Sequence, residues 1–440
     1  MIETFLTAYD PSDLPGASID PLGFERGYLL LADKILPGLT NVASRPRYFA
    51  VLCAGVSLCG VAADGPPREV GRARQEMLLR FERYWALGNV LARPERSGGV
   101  RGVTYAQNHA AEVRRRGETR ISAAYRLLSR QGQYGAIGIY ANVADGMRFL
   151  NRDDFTLTPA LGEVAAEAFL EETGLPASLR RAVVNDTDVG WSTLADWGER
   201  AHVDAPIRPR EAACLGEALH AHDMRSRMAG LLRAHPFRAE ADTELARLGR
   251  IERTLQRTGE HADLREALAC IRAYESCYQL AQLALERLLW ICRHHAGAAA
   301  TLRELGGDAI LRQVRERLPA QANRWLESLD QASTPGFREN LDRLADVRRF
   351  VEIAAGSAGD HGAFVDALVS RHTDIQHGKF DHGRRKMPWL ERTGDQLALT
   401  MTRAGGRHGE ATAPEDIAPH PYRTAAADAL LAAAGEKGAA

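Results

Sequence analysis

Residues 262–295 read ADLREALACIRAYESCYQLAQLALERLLWICRHH. From Leu264 to Cys292 the apolar side chains fall on nearly every side of a helical projection. A helix with no polar face of its own is buried all round, so this stretch predicts the central helix of a bundle. Cys270 and Cys277, seven apart, read as core residues on it. Glu275, Gln279 and Glu286 interrupt the apolar surface, and a carboxylate buried there needs a partner or takes a raised pKa. His294 and His295 close the helix where its dipole favours positive charge.

Working outward, residues 211–232 and 239–258 are further periodic segments, and 308–317 and 337–355 follow the central one. A Gly356-Ser357-Ala358-Gly359 break precedes a short helix at 364–371, and 397–401 reads as a strand. Upstream, Phe24, Tyr28, Leu31 and Ile35 mark a helix that Pro37-Gly38 stops. A strongly apolar helix follows from about 45 to 62, and a third at 69–91 puts Met77, Leu78, Phe81 and Trp85 on one face. The Pro/Gly/Arg-rich stretch 93–102 reads as a linker. Helices are predicted at 105–116, 119–130 and 134–145, a short hairpin across 147–158, and a helix from 160 to 172 with Thr158-Pro159 at its start. Beyond 405 the chain is rich in Ala, Gly and Pro, and 406–440 reads as a weakly ordered tail.

The composition bounds what such a chain does. With 440 residues, 45% hydrophobic, 26% charged and a net charge of −1, it supports two or three folded domains rather than a disordered segment. No apolar run reaches membrane-spanning length, so no membrane association is expected. Met1-Ile2-Glu3-Thr4 has no basic stretch ahead of an apolar one, so no secretory signal is expected either, and a cytoplasmic location follows. Six cysteines without a CxxC pair argue against a disulfide framework or a zinc ribbon. Of 56 basic residues only Lys34, Lys379, Lys386 and Lys437 are lysines. An Arg bias of that size reflects a GC-rich genome, so arginine clusters are discounted as signals. Charge is nonetheless uneven: residues 68–130 hold 14 Arg against 6 acids, and 151–204 hold 11 acids against 4 Arg. Such a division either offers an anion one face or neutralises itself internally.

Several chemistries lose their usual signatures. There is no GxxxxGK[ST], no HExxH, no Cys/His quartet and no GxSxG, and Gly135-Ala136-Ile137-Gly138 lacks the strand–turn–helix setting of a dinucleotide fingerprint. No cofactor is expected.

The densest polar cluster is residues 371–389, RHTDIQHGKFDHGRRKMPW, with three His, two Asp, five basic side chains and two aromatics. Histidines five apart are rotated by about 140° on a helix, so a three-His metal site on one face is not expected. An anion-binding loop suits the content better. Gly378 and Gly383 permit close backbone approach, Lys379, Arg384, Arg385 and Lys386 suit phosphates, and Phe380 and Trp389 suit stacking on bases. The bland reading of the same stretch is a surface loop with a docked Trp. A second basic set is Arg120, Arg126 and Arg130 with Ser122, on a predicted helix. Arg45, Arg47 and Tyr48, at a helix start, form a third, whose bland reading is salt-bridged capping.

The helices, hairpin and closing helix at 103–172, with Leu157-Thr158-Pro159-Ala160-Leu161-Gly162, resemble a winged-helix domain. That resemblance implies a second helix, bearing Arg120, Arg126 and Arg130, that reads DNA or docks a partner. The pattern from Asp20-Pro21-Leu22-Gly23 through Leu36-Pro37-Gly38 to Arg45-Pro46-Arg47-Tyr48-Phe49 resembles uncharacterised bacterial proteins encoded near phage-defence genes, some beside helicases and nucleases. It implies phage defence and contact with DNA.

The expected fold is therefore mainly α: a multi-helix bundle with a small winged-helix-like α/β insertion. Its expected parts are an N-terminal helical subdomain (1–92), the winged-helix-like segment (103–172), a bundle (185–405) carrying 371–389, and the tail. The expected function is a DNA-acting defence protein, with hydrolysis of the N-glycosidic bond of modified bases as the enzymatic form, since that reaction needs neither metal nor nucleotide. Asp374 or Asp381 is then the carboxylate and His377 assists. The competing expectation is a non-catalytic module that binds DNA or a partner protein. The two differ in whether 374–389 closes a concave pocket.

Overall fold

The computed structural model describes residues 20–60, 67–238, 242–381, 384–400 and 411–435, with the side chains of 67–72, 296 and 381 set aside. Among them are nineteen α-helices and only short strands, none longer than four residues. The protein is mainly α, with small strand insertions. No helix among the described residues is long and apolar enough to cross a membrane. The described residues form two compact units, each discontinuous in sequence: Leu36–Pro236 with 423–435, and 20–35 with Phe237–Tyr422.

The second unit is organised by the helix Ala262–His294, about 50 Å long at 1.5 Å per residue. Leu264, Leu268, Ile271, Cys277, Leu285 and Cys292 are all buried on it, as its apolar circumference requires. It packs along Ala309–Asp330 and against Glu244–Thr258 and Glu25–Ile35. A three-stranded antiparallel sheet, Ala299–Thr301, Gln396–Leu399 and Leu390–Thr393, lies at its C-terminal end, with Ala300 opposite Leu397 and Leu390 opposite Leu399.

The buried Glu275 has the partners its position demands. Its carboxylate accepts hydrogen bonds from His420 Nδ1 at 2.8 Å, the His420 backbone N–H at 3.1 Å and the Tyr422 hydroxyl at 2.6 Å. Gln279 donates to the Ile417 carbonyl at 2.8 Å, so two polar positions of the helix hold residues 417–422 in place. The expectation of a weakly ordered tail is therefore corrected for the described residues. Ile417 and Tyr422 are buried, and the helix Thr424–Ala433, in the other unit, buries Ala426, Ala427, Leu430 and Leu431. Small side chains that look like low complexity in the sequence are there because they pack closely.

In the first unit Arg47–Cys59 plays the equivalent part, with every residue but Ser57 buried. Pro67–Ala92 crosses Trp191–Ala201 where Gly88 meets Gly198, and a Cβ on Gly198 would run into the Gly88 carbonyl. Gly198→Ala is expected to cost about 1–3 kcal/mol through forced separation of the helices, read as a lower urea midpoint. An unchanged midpoint would mean that the crossing gives way freely.

Three sequence readings differ from the fold here. Residues 119–130 are not helical: Arg120–Ile121 pairs antiparallel with Val189–Gly190, and turns follow. Gly117 turns the chain at φ +72° after Val103–Arg115, and the Ser122 hydroxyl takes the Ala124 N–H at 3.0 Å, competing with a helical bond. Residues 93–102 contain a packed 3-10 turn, Pro94–Gly99, whose buried Ser97 hydroxyl donates to the carbonyls of Arg93 at 2.7 Å and Asn89 at 3.0 Å. The segment read as one helix at 211–232 is two, Pro209–His220 and Asp223–Ala234. Arg225 reaches back across the break to the carbonyls of Ala218 at 2.6 Å and Leu219 at 2.8 Å, capping the helix before it. The hairpin forms where its pattern places it, Leu150–Asn151 against Thr156–Leu157, ahead of the helix Val164–Glu172.

Candidate functional site

The helix His361–His377 runs nearly two turns beyond the 371 end read from the sequence, capped by Asp360, whose carboxylate accepts from the Ala363 N–H at 3.2 Å. Its residues divide between two environments. Asp366, Ser370, Thr373, Asp374 and His377, spaced at i, i+4, i+7, i+8 and i+11, share one side. They line a cleft of about 670 Å³ whose other wall is Met387, Pro388 and the Leu390–Thr393 strand with Glu391 and Arg392. Arg392 forms an ion pair with Asp366, which neutralises that pair of charges. Asp374, His377 and Glu391 are exposed.

The other side of the helix is structural. Arg371 donates through Nε to the Leu22 carbonyl at 2.8 Å and pairs with Asp346 at 2.8 Å. His372 is wholly buried, its Nδ1 3.2 Å from the Pro21 carbonyl and its Nε2 accepting the Trp389 backbone N–H at 2.9 Å. One donor and one acceptor describe a neutral ring, and burial pushes its pKa down to about 4. The unfolded chain takes up that proton near pH 6.5, before the folded one does. The contribution is therefore complete above about pH 6.5 and is lost as the pH falls towards 4, up to about 3 kcal/mol. The urea midpoint is expected to drop between pH 7 and pH 4.5, with a smaller drop in His372→Gln. An equal drop in the variant would remove His372 as a source.

The chain then turns back on itself. Phe380–Asp381 pairs antiparallel with Arg384–Arg385, Phe380 facing Arg385, and the Lys386 N–H reaches the Lys379 carbonyl at 3.0 Å. Lys379 anchors the base of this hairpin, donating from Nζ to the Asp20 carbonyl at 2.6 Å, and burial lowers its pKa. Arg384 and Arg385 are exposed, Lys386 is half-buried, and Phe380 is 64% exposed. His382 and the side chain of Asp381 lie outside the described residues.

The predicted site residues thus separate into those the fold brings together and those it does not. Asp374 and His377 face one cleft, with Phe380, Arg384, Arg385 and Lys386 on the adjoining hairpin. Trp389 does not join them. It is 2% exposed with its ring centroid 4.9 Å from that of His372, so its stacking on a base is corrected to a core role.

The third set is corrected likewise. Arg47 is 1% exposed and bonded to both carboxylate oxygens of Glu211 at 2.6 and 2.8 Å. Tyr48 is buried, stacked on Tyr140 at 4.6 Å, with its hydroxyl accepting the Arg101 N–H at 2.8 Å. Arg45 stays at the surface, paired with Asp204 at 2.8 Å. Arg120, Arg126 and Arg130 are exposed on the first unit. Arg120 is committed to the Asp188 carbonyl, and Arg126 and Arg130 make local bonds of 3.3 and 3.5 Å to the Ser129 carbonyl and the Gln133 side chain.

Sequence reasoning missed Asp366, Ser370, Glu391 and Arg392. The four-residue spacing of Asp366, Ser370 and Asp374 was available, but the helix was read as ending at 371, and nothing local announces the opposing strand. The first unit holds a larger cavity, about 1040 Å³, with Asp153, Asp154, Glu163 and Glu167 against Arg74 and Arg152 among its lining residues. No residue of the three predicted sets lines it. No group of three or more His, Cys, Asp or Glu among the described residues is placed to hold a metal ion. The chain matches no family model, no curated protein and no solved structure.

Proposed function

We propose that the protein acts on DNA and hydrolyses the N-glycosidic bond of a base held in the cleft between His361–His377 and Leu390–Thr393. One observation carries this reading: Asp374 and His377 line the same concave site, beside a hairpin whose Arg384 and Arg385 are exposed. At i and i+3 their Cβ atoms are about 5–6 Å apart, close enough to act on the two sides of one bond.

In this reaction the C1′–N bond breaks and its electron pair leaves with the base, which takes a proton from His377. Water adds to C1′ and gives a proton to the Asp374 carboxylate, whose charge also opposes the positive charge developing on the sugar. Solvent returns the proton from Asp374 to His377. The products are a free base and an abasic sugar.

Base-modified phage DNA is the first substrate to try, on the expectation of phage defence that the pattern at residues 20–49 raised. Incubation with modified and unmodified phage DNA, followed by alkali, is expected to break strands only after the alkali step. Intact strands under both conditions would remove the chemistry. A salt-sensitive gel shift beside intact strands would favour the second reading, a non-catalytic binding module, for which the exposed Phe380 and Arg385 pair alone suffices.

A further inference from the structure

Phe380 and Met387 are the two most exposed large apolar side chains among the described residues, at 64% and 61%, Phe380 in the hairpin and Met387 two residues beyond its second strand. Phe380 and Arg385 are cross-strand partners and so share a face. Met387 follows just beyond the strand that carries Arg385. Met387 also lines the cleft, so the chain leads from the hairpin into it. Arg384 and Lys386, at the alternate positions, take the other face.

We propose, building on the DNA reading of this cleft, that the hairpin takes DNA as a single strand: one base stacks on Phe380, with Met387 towards the cleft, while Arg385 on the same face as Phe380 holds a flanking phosphate. The separation of charge argues for this form. Asp374 and Glu391 give the cleft a negative lining once Asp366 and Arg392 cancel, so it repels a phosphate and admits a neutral base. The hairpin beside it is positive. A paired base cannot leave its backbone on one surface while entering the other; an unpaired base can. The cleft volume lies within the range of about 300–1,000 Å³ that encloses one small molecule. An anionic membrane would also attract a hairpin bearing Arg and Phe, but it would press its phosphates against Asp374 and Glu391.

The test is fluorescence anisotropy of the full chain with a labelled 20-nucleotide single strand, its blunt duplex, and phosphatidylglycerol vesicles. The single strand is expected to bind at least tenfold more tightly than the duplex. Phe380→Ala is expected to weaken single-strand binding about tenfold, and Phe380→Trp to retain it. Arg385→Gln is expected to flatten the log K against log salt slope by about 0.7, the value of one phosphate contact, and Arg384→Gln, on the other face, to leave it unchanged. Ile353→Ala, an exposed apolar residue of the same unit outside the hairpin, is expected to change nothing. Equal binding of duplex, an unaffected Phe380→Ala, or vesicle binding without oligonucleotide binding overturns the proposal. Its failure is separable from failure of the chemistry. Single-strand binding without abasic sites removes only the hydrolysis, and abasic sites made equally well by Phe380→Ala remove only the stacking clamp.

Discussion

Asp374→Asn is expected to slow base release by about 10³-fold, within the 10²–10⁴ that a positioned acid–base or charge-stabilising group supplies. The amide keeps the shape and loses both the negative charge and the ability to take a proton from water. Confounding through stability is small, because Asp374 is exposed, and surface changes of this kind stay within about 0.5 kcal/mol. Asp374 also lies in the last turn of its helix, where a negative charge opposes the dipole, so Asn is if anything slightly stabilising. Single-strand binding is expected to hold or to improve, since one repulsive charge is removed. His377→Asn is expected to be milder, about 10²-fold, because water can protonate a leaving base where nothing replaces the field of a carboxylate. Glu391→Gln is the control across the cleft. A full rate in Asp374→Asn with a lost rate in Glu391→Gln would move the carboxylate role to the strand.

Local pattern carried some parts of this protein and tertiary contact carried others. The apolar circumference of 264–292 announced a buried helix, and Glu275 announced a buried partner, though not that His420 and Tyr422, some 145 residues on, would be that partner. Phe380, Arg384 and Arg385 were legible as exposed residues, because an aromatic and basic content keeps its meaning whatever packs nearby. Trp389 misled for the opposite reason. A Trp in a basic stretch looks available, but its contact with His372 depends on a chain reversal between them. The same applies to 119–130, whose helical composition yields to pairing with Val189–Gly190, far along the chain. The cleft itself was half visible: one wall is a single helix face, and the other arrives by strand pairing that no spacing encodes.

The largest loss of stability is expected from Glu211→Ala. Arg47 lies on the most buried helix of its unit, where its guanidinium gives Nη1 to Glu211 and Nη2 to the carbonyls of Pro206 at 2.9 Å and Ala205 at 3.2 Å, 5.7 Å from the centre of the Phe169 ring. Burial pulls the Arg47 pKa down and pushes that of Glu211 up, so each group resists its charge and is held ionised by the other. Removing the carboxylate leaves a buried cation without its ion-pair partner, at a cost of about 3–5 kcal/mol. The double variant Arg47→Met with Glu211→Leu removes both charges at similar volume, and is expected to recover most of that loss, because a buried ion pair is often no more stabilising than well-packed apolar groups. Urea unfolding of the two variants and the parent decides between charge and packing. Recovery in the double variant marks the uncompensated guanidinium as the cause. A double variant as weak as Glu211→Ala would show instead that the two carbonyl bonds and the Phe169 contact, which Met cannot reproduce, hold this corner of the unit together.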